Sequence, residues 1–473
     1  MTCQEEIIDY GGEDNMFINH EYIEGLLQNA KNATNEEIQK VLDKAKEHKG
    51  LSHEDIAVLL QIEDSEQLKE MYKIAGDIKK SIYGNRVVVF APLYISDYCV
   101  NNCVYCGYQK KNCFTRKKLS MEEIKQEVRV LERMGHKRLA LEAGEDPVNC
   151  PIDYIVDAIG AIYDTQEENG NIRRVNVNIA ATTVENYKKL KDAKIGTYIL
   201  FQETYHKPTY DKMHPKSIKG DYEYHLTAFD RAMKAHIDDV GGGVLFGLAD
   251  PKFEVLGLML HNEHLEEKFG VGFHTISVPR LKKAEGMSLK EFPHLVDDEM
   301  FKKIVAIIRI AVPFTGIILS TRETAEMRDE VIKYGVSQVS AGSCTGVGGY
   351  KEREEGKAVD QFVLGDHRSP VEVLKSLIDS KYIPSYCTAC YRKGRTGDRF
   401  MSLAKSGQIQ NVCGPNAIMT LMEYVMDYGD EELYNKAHEL IQSEIKNIKR
   451  DDIRDLVKNN VERIKNGERD LFI

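Results

Sequence analysis

The 473-residue sequence contains no tryptophan, only 12 prolines and no long apolar run. A membrane-spanning helix needs about 20 consecutive apolar residues, so a membrane protein is not expected. A positive charge excess is also missing, since the formal net charge is −11 at pH 7, and no basic stripe favours nucleic acid. The first residues, Met1 to Glu6, are acidic where a secretory signal would be basic. We therefore expect a cytoplasmic protein that binds neither nucleic acid nor a membrane.

Cysteine, by contrast, is plentiful. Ten cysteines in a cytoplasmic chain are not expected to form disulfides, and six of them fall in two groups. The first group, Cys99, Cys103 and Cys106, has the spacing C-x3-C-x2-C directly after an apolar run. Three thiolates on one loop can hold three irons of a 4Fe-4S cluster and leave the fourth iron open to a bound reactant. A structural zinc site is the alternative, but a structural zinc ion normally takes four protein ligands, and this group offers three.

This loop resembles that of the radical S-adenosylmethionine (SAM) enzymes. In that family the open iron binds the amino and carboxylate groups of SAM, and an electron from the cluster cleaves SAM to a 5′-deoxyadenosyl radical. The resemblance implies that Tyr105 lies against the adenine. It also implies that Gly144 and Glu145, after the second predicted strand, accept hydrogen bonds from the ammonium group of SAM.

From Asn85 onward, apolar runs alternate with amphipathic helical stretches, which is typical of a parallel α/β sheet. Eight such runs predict a complete (β/α)8 TIM-type barrel of the radical SAM kind. We expect an N-terminal helical cap over residues 1–84, the barrel over 85–370, and a mainly helical C-terminal segment over 371–473. The predicted strands are Val87–Ile95, Arg138–Ala143, Val175–Ile179, Thr197–Gln202, Val240–Leu248, Thr275–Val278, Gly316–Leu319 and Gln338–Ala341.

Polar side chains are dense where two of these strands end, which is where a barrel carries its chemistry. The fourth predicted strand ends in hydrogen-bonding groups that could bind a small polar ligand, although a solvated loop is the alternative. They are Gln202, Glu203, Thr204, Tyr205 and His206.

The seventh predicted strand ends in Ser320, Thr321 and Arg322. Arginine grips a carboxylate with two parallel hydrogen bonds. Arg322 is therefore the candidate anchor for a substrate carboxylate, assisted by Ser320 and Thr321. A surface ion pair between Arg322 and Glu323 is the alternative.

The second cysteine group consists of Cys387, Cys390 and Cys413, with the spacing C-x2-C-x22-C. Three ligands again leave a metal partly open, and several nearby arginines would offset the negative charge of an iron–sulfur core. We predict an auxiliary iron–sulfur cluster here, with zinc as the alternative.

These features together make residues 85–420 similar to the HydG family, the radical SAM tyrosine lyases that mature FeFe-hydrogenase. The two cysteine spacings, residues 202–206, residues 277–280 and residues 388–400 carry the resemblance. It implies that the radical takes hydrogen from L-tyrosine, that the Cα–Cβ bond breaks to release p-cresol, and that a dehydroglycine fragment becomes carbon monoxide and cyanide. These ligands would reach an additional iron attached to the auxiliary cluster.

The resemblance also implies roles for individual residues and partners. The additional iron takes a histidine ligand, which we assign to His264, with His261 as the reserve. Gln202 and Glu203 would belong to the cofactor site, and Tyr205 and His206 to the catalytic site. A reductant such as ferredoxin or flavodoxin and other hydrogenase maturation proteins are the expected partners.

Three other functions stay open at this point. A tyrosine lyase of the thiamine type would make dehydroglycine without a C-terminal cluster. A sulfur-inserting enzyme of the biotin-synthase kind would consume its auxiliary cluster. A zinc-stabilised scaffold protein would need a fourth ligand at both cysteine groups.

Overall fold

Nine parallel strands form one sheet in the computed structural model, which describes residues 16–356 and 362–473. The first eight close into a barrel because β1 pairs with both β2 and β8, which confirms the predicted fold class. The strands are β1 (Arg86–Ser96), β2 (Arg138–Ala143), β3 (Arg174–Asn178), β4 (Tyr198–Ile199), β5 (Val240–Gly243), β6 (Thr275–Ser277), β7 (Gly316–Leu319), β8 (Gln338–Ser340) and β9 (Ile383–Ser385).

β1 is by far the longest strand, with 11 residues. One of its edges pairs with β8 through Val88 to Phe90. The opposite edge pairs with β2 through Ala91 to Ser96 and, nearer its start, with β9 through Arg86 to Val88. β9 was not among the predicted strands, because its three residues precede a cysteine-rich stretch that reads as a loop. Because β9 pairs with the first residues of β1 and β2 with the later ones, β9 lies below β2, at the amino-terminal end of the barrel.

Helices surround the barrel and extend beyond it on both sides. Before β1 lie α1 (His20–Ala30), α2 (Asn35–Ala45), α3 (His53–Leu59) and α4 (Ser65–Tyr83). Between β1 and α15 lie α5 (Met121–Arg133), α6 (Ile152–Tyr163), α7 (Val184–Asp192), α8 (Lys207–Met213), α9 (Tyr222–Leu226), α10 (Ala228–Lys234), α11 (Pro251–Phe269), α12 (Asp298–Ala311), α13 (Ala325–Tyr334) and α14 (Gly349–Glu354). The C-terminal helices are α15 (Pro370–Asp379), α16 (Ala389–Arg392), α17 (Gly397–Lys405), α18 (Gln410–Tyr428), α19 (Glu431–Asn447) and α20 (Asp451–Lys465).

The N-terminal helices pack on the outside of the barrel through α4, which contacts α12 and α13. Gly76 permits this approach, because a Cβ there would come within 2.7 Å of the Lys333 carbonyl oxygen. The predicted helical cap is thus helical over its described part, and its first 15 residues lie outside the described residues. Across the described residues, no helix combines the length and apolar character that crossing a bilayer would need.

The strand predictions differ from the structure mainly in length. β4 and β5 end at Ile199 and Gly243, whereas the predicted runs continue to Gln202 and Leu248. The extra residues leave the strand ladder, and three of them, Leu200, Phe201 and Leu245, line the cavity above the barrel. In the C-terminal segment, α18 begins at Gln410 rather than Ala417, so it contains Cys413 and Pro415. A proline near a helix start is tolerated more easily than one in its centre.

Arg309 of α12 is a fully buried charge that joins the helix to two loops. Its guanidinium donates hydrogen bonds to the carbonyl oxygens of Pro313, Thr315 and Gly335, at 2.7 to 3.1 Å. Burial lowers its pKa to about 10, which still leaves it charged at neutral pH. These three hydrogen bonds are buried, so removal of the arginine would leave buried acceptors unpaired.

We expect Arg309→Met to lower the free energy of unfolding by about 3 kcal/mol or more, because several buried carbonyls lose a charged donor. The matched control is Arg129→Met on the exposed face of α5, which should change it by less than about 0.5 kcal/mol. Denaturant melts monitored by circular dichroism measure both. Equal midpoints for the two variants would contradict the prediction.

Candidate functional site

A large cavity opens at the carboxyl ends of the strands, and we call it the upper cavity. It encloses about 1690 Å³ of empty space, part of it continuous with solvent. The lining contains most of the predicted site residues: Cys99, Cys103, Tyr105, Cys106, Gly144, Glu145, Glu203, Ser320, Thr321 and Arg322.

The loop after β1 is fastened to the loop after β2. The Val100 amide donates to the Glu145 carbonyl oxygen at 2.8 Å, and the Asn101 side chain donates to the Glu145 carboxylate at 2.5 Å. Gly144 lies so close to this loop that a Cβ there would meet the Tyr98 carbonyl oxygen at 2.4 Å. The first cysteine group and the Gly144–Glu145 pair therefore share one rigid rim of the cavity.

Two further contacts hold the aromatic and charged groups of this rim. The Tyr105 hydroxyl and His214 Nε2 are 2.8 Å apart, which fixes the tyrosine ring. The ammonium group of Lys219 donates to the Glu203 carboxylate at 2.6 Å. Burial raises the pKa of Cys103, and the nearby Lys219 charge opposes that rise. A cation beside the cysteines favours an anionic iron–sulfur core.

Arg322 reaches the opposite wall without a carboxylate partner among the described residues. Its guanidinium lies over the Phe362 ring, 3.6 Å from the ring centre. Glu323, the alternative partner considered from the sequence, binds Arg280 and Lys282 instead. The donors of Arg322 thus remain available to a carboxylate that enters the cavity.

Glu142, near the end of β2, was not among the predicted site residues, although it lines the same cavity. Burial raises its pKa to about 8, against the opposing effects of Arg322 and a hydrogen bond with Asn178. The carboxyl group is therefore neutral at pH 7 and can donate a hydrogen bond. Its position two residues before Gly144 was the available signal, but a glutamate inside a strand reads equally well as a structural residue.

Three predicted residues at the end of β4 do not line the upper cavity. Gln202 is buried. The Tyr205 hydroxyl contacts His261 Nδ1 at 3.0 Å, outside the barrel. His206 caps α8, and its ring nitrogen lies 2.8 Å from the Thr209 hydroxyl. The chain turns sharply at Glu203, which has a positive φ of 69°. Of these four residues Glu203 lines the cavity, and the roles of Gln202, Tyr205 and His206 stay predictions.

A second cavity lies at the amino-terminal ends of the strands, and we call it the lower cavity. β9 leads into Cys387, α16 carries Cys390, and α18 carries Cys413, and all three line this cavity. A hydrogen bond from the Cys390 thiol, helped by the Arg86 guanidinium, lowers the pKa of Cys413 below its ordinary value, against the opposing effect of burial. The second cysteine group is therefore brought together as the sequence suggested.

Buried cations surround these three thiols. Arg86 and Arg138 line the lower cavity, and the Nε atom of each is buried with no hydrogen-bond partner in the described part of the chain. The hydroxyl of Thr388 is buried and unpartnered in the same way. Donors left unpaired beside thiols fit an anionic cluster that would accept from them. The residues present therefore suit an iron–sulfur group.

Within residues 16–356 and 362–473, no three His, Cys, Asp or Glu side chains meet closely enough to bind one ion.

His264, the predicted iron ligand, does not reach the lower cavity. It lies on α11 outside the barrel, where its Nε2 atom is 3.1 Å from the Asp230 carboxylate and its ring stacks on Phe17 at 3.8 Å. The reserve, His261, is buried on the same helix and does not line the lower cavity either. The lower-cavity histidine is His274, directly before β6.

His274 was not among the predicted site residues because it lies directly before a strand, at the end of the barrel where catalytic residues are not expected. Burial lowers its pKa, against the opposing effect of Asp239, so its ring is neutral at pH 7. A neutral imidazole is the form that binds metals. His264 and His261 were assigned from the family resemblance, and in the structure both contact α10 and the N-terminal segment.

Comparisons with known proteins agree with this geometry. The model of the Radical SAM superfamily matches residues 93–256, and that of the Biotin and Thiamin Synthesis associated domain matches residues 277–383. The chain is 30% identical to the 2-iminoacetate synthase of Escherichia coli (strain K12) over 329 residues, which are 69% of this chain and 84% of that one.

Two solved structures match over nearly the whole chain. One is HydG, a maturase of the FeFe-hydrogenase, with 60% identity, a TM-score of 0.94, and coverage of 97% of this chain and 100% of that one. The other is the FeFe-hydrogenase maturase HydG from Carboxydothermus hydrogenoformans, with 38% identity, a TM-score of 0.80, and coverage of 94% and 99%. The barrel and its two cysteine-lined cavities agree with these matches. The chain therefore belongs to the HydG family of radical SAM enzymes.

Proposed function

We propose that this protein is a radical SAM lyase that cleaves the Cα–Cβ bond of L-tyrosine to p-cresol and a dehydroglycine fragment. The fragment becomes carbon monoxide and cyanide, which are assembled on iron for the active site of FeFe-hydrogenase. The observation that carries the proposal is one barrel with a three-cysteine cavity at each end and an unpaired Arg322 at the upper one.

At the upper cavity, Cys99, Cys103 and Cys106 would hold a 4Fe-4S cluster, which supplies the electron for cleaving SAM. Gly144 and Glu145 would accept from the ammonium group of SAM, and Tyr105 would lie along its adenine. The rim contacts described above keep these groups in place before SAM binds. Less reorganisation then accompanies binding.

For the substrate, Arg322 would bind the carboxylate of tyrosine with two hydrogen bonds, with Ser320 and Thr321 beside it. Glu142, neutral at pH 7, adds no charge that would compete for Arg322. The stacked Phe362 ring holds the guanidinium in position and excludes water from one of its faces.

At the lower cavity, Cys387, Cys390 and Cys413 would hold the auxiliary cluster, with Arg86 and Arg138 offsetting its charge. We now propose His274, rather than His264, as the residue that binds the additional iron. A thiamine-type lyase would have no use for this arrangement of cysteines, buried arginines and histidine. This observation favours the first function over that alternative.

The decisive experiment incubates the anaerobically reconstituted protein with SAM, dithionite and tyrosine, and measures p-cresol, carbon monoxide and 5′-deoxyadenosine. We expect all three products from the wild type and none from Cys99→Ala, because two thiolates cannot hold the open-iron cluster. Cys113→Ala, an exposed cysteine on the same loop region, is the matched control and should keep full activity. No p-cresol from the wild type, or 5′-deoxyadenosine from Cys99→Ala, would refute the proposal.

We expect Arg322→Lys to raise the KM for tyrosine roughly 10-fold or more, because an ammonium group cannot reproduce the planar two-point contact. The Kd for SAM should stay within about twofold, since Arg322 is assigned to the carboxylate of tyrosine alone. Steady-state kinetics and SAM titrations measure the two quantities. Parallel loss of both affinities would show that Arg322 is structural.

The KM for tyrosine should rise as the pH increases through about 8, the pKa of Glu142. Below that pH the carboxyl is neutral, whereas above it a carboxylate forms beside Arg322 and competes with the substrate. Glu142→Gln stays neutral and should show no such rise. Both proteins share the titration of tyrosine itself, so the difference between their pH profiles isolates Glu142. Identical profiles would rule out this role.

His274→Ala should lower the iron content by about one atom per protein while p-cresol formation continues, since one ligand is lost without dismantling the thiolate site. His264→Ala is the matched control and should keep that iron. Iron analysis and infrared detection of iron-bound carbonyl and cyanide read out both variants. Loss of that iron from His264→Ala but not from His274→Ala would show that His264 is the ligand instead.

A further inference from the structure

A basic groove crosses the outside of the barrel near its amino-terminal end, and we call it the lower groove. It forms where three pieces of chain meet: α4, the end of α13, and the turn before β9. Lys73 and Lys80 come from α4, Lys333 from α13, and Lys381 from the turn. The groove therefore depends on the packing of the N-terminal helices against the barrel.

The charge of the lower groove is unbalanced. All four of these lysines are exposed, and none forms an ion pair in the described part of the chain, whereas Asp77 is the one described acidic side chain in its lining. Lys375 of α15, by contrast, is paired with Asp430 at 2.8 Å and with Glu432 at 2.6 Å. Clustered like charges repel one another, and here they persist in a chain of net charge −11. The groove is thus complementary to an acidic surface.

Aromatic rings lie between the lysines. Tyr72 and Tyr334 stack with their ring centres 4.5 Å apart, and Tyr382 lies 4.2 Å from the ammonium group of Lys79. Lys79 itself is buried and its pKa is lowered by burial, so it adds little to the surface charge. Partly exposed tyrosines flanked by cations are common at protein interfaces.

The lower groove adjoins the lower cavity. Gly84 and Asn85 line the groove, whereas their neighbours Tyr83 and Arg86 line the cavity with the second cysteine group. The turn that carries Lys381 continues through β9 into Cys387. One layer of residues therefore separates the two. The first cysteine group lies past the far end of β1, whose 11 residues at about 3.3 Å each span about 36 Å.

We propose that the lower groove docks an acidic one-electron carrier protein, which reduces the cluster held by Cys387, Cys390 and Cys413. In this step one electron leaves the reduced carrier and enters the cluster, and no bond or proton is transferred. The inference rests on the proposed function in so far as it needs the auxiliary cluster. The position of the groove assigns the carrier to that cluster and not to the one that cleaves SAM.

The first test measures binding of the reconstituted protein to a reduced acidic ferredoxin by titration. We expect Lys73→Glu/Lys333→Glu to weaken the affinity at least 10-fold at low salt, with the difference shrinking as salt is raised. The matched control is Lys188→Glu/Lys234→Glu, which makes the same charge change at exposed, unpaired lysines of α7 and α10. Equal affinities for the two double variants would overturn the proposal.

The second test follows reduction of the auxiliary cluster by freeze-quench electron paramagnetic resonance. The groove variant should slow reduction by ferredoxin at least 10-fold but leave reduction by dithionite, which needs no docking surface, unchanged. Slowing with both reductants would overturn the proposal, because the charges would then act on the cluster itself. If the wild type holds no more iron than Cys387→Ala, the proposed function fails, whereas the binding test still reports on the groove.

Discussion

The long first strand is the element on which both cysteine groups depend. Its carboxyl end continues into the loop of Cys99, Cys103 and Cys106, and its first residue, Arg86, faces Cys387, Cys390 and Cys413. The same strand pairs with β8 and β2 to close the barrel and with β9 to attach the C-terminal segment. The hydrogen-bonded strand β1 thus fixes the distance between the two cysteine groups, and neither group can move without disturbing the barrel.

Buried positive charge is the second constraint. At the upper cavity, Lys219 already faces the Glu203 carboxylate. At the lower one, the Nε atoms of Arg86 and Arg138 are buried without a hydrogen-bond partner in the described part of the chain, which is costly without an anion to face. An anionic group held by Cys387, Cys390 and Cys413 would supply that anion, so the proposed cluster would be favoured electrostatically as well as by bonds from sulfur to iron.

The sequence predicted the parts of the molecule that are local or periodic. The alternating runs gave the barrel, and β2 and β7 have the predicted bounds. The first cysteine group is confined to one short loop, so its spacing alone predicted a shared site, whereas Cys413 reaches Cys387 and Cys390 only through the packing of α18. What the sequence could not predict depends on contacts between distant segments: β9, Glu142 in the same cavity as Arg322, and His274 in the same cavity as Cys387. The assignment of His264 came from the family resemblance, and the structure places this residue on α11 against Asp230 and Phe17.

The pairing of β9 with β1 has a consequence for how the protein is made. It joins residues about 300 positions apart in the sequence, more than the 250 positions between Val88 and Gln338 in the pair of β1 with β8. Domains fold while the chain emerges from its N-terminus, so β1 to β8 can close before the C-terminal segment is made. Cys99, Cys103 and Cys106 are in place at that stage, whereas Cys413 arrives only with α18. The two cysteine groups are therefore completed in a fixed order, and a ribosome stalled before α18 would hold a barrel that is open at its lower end.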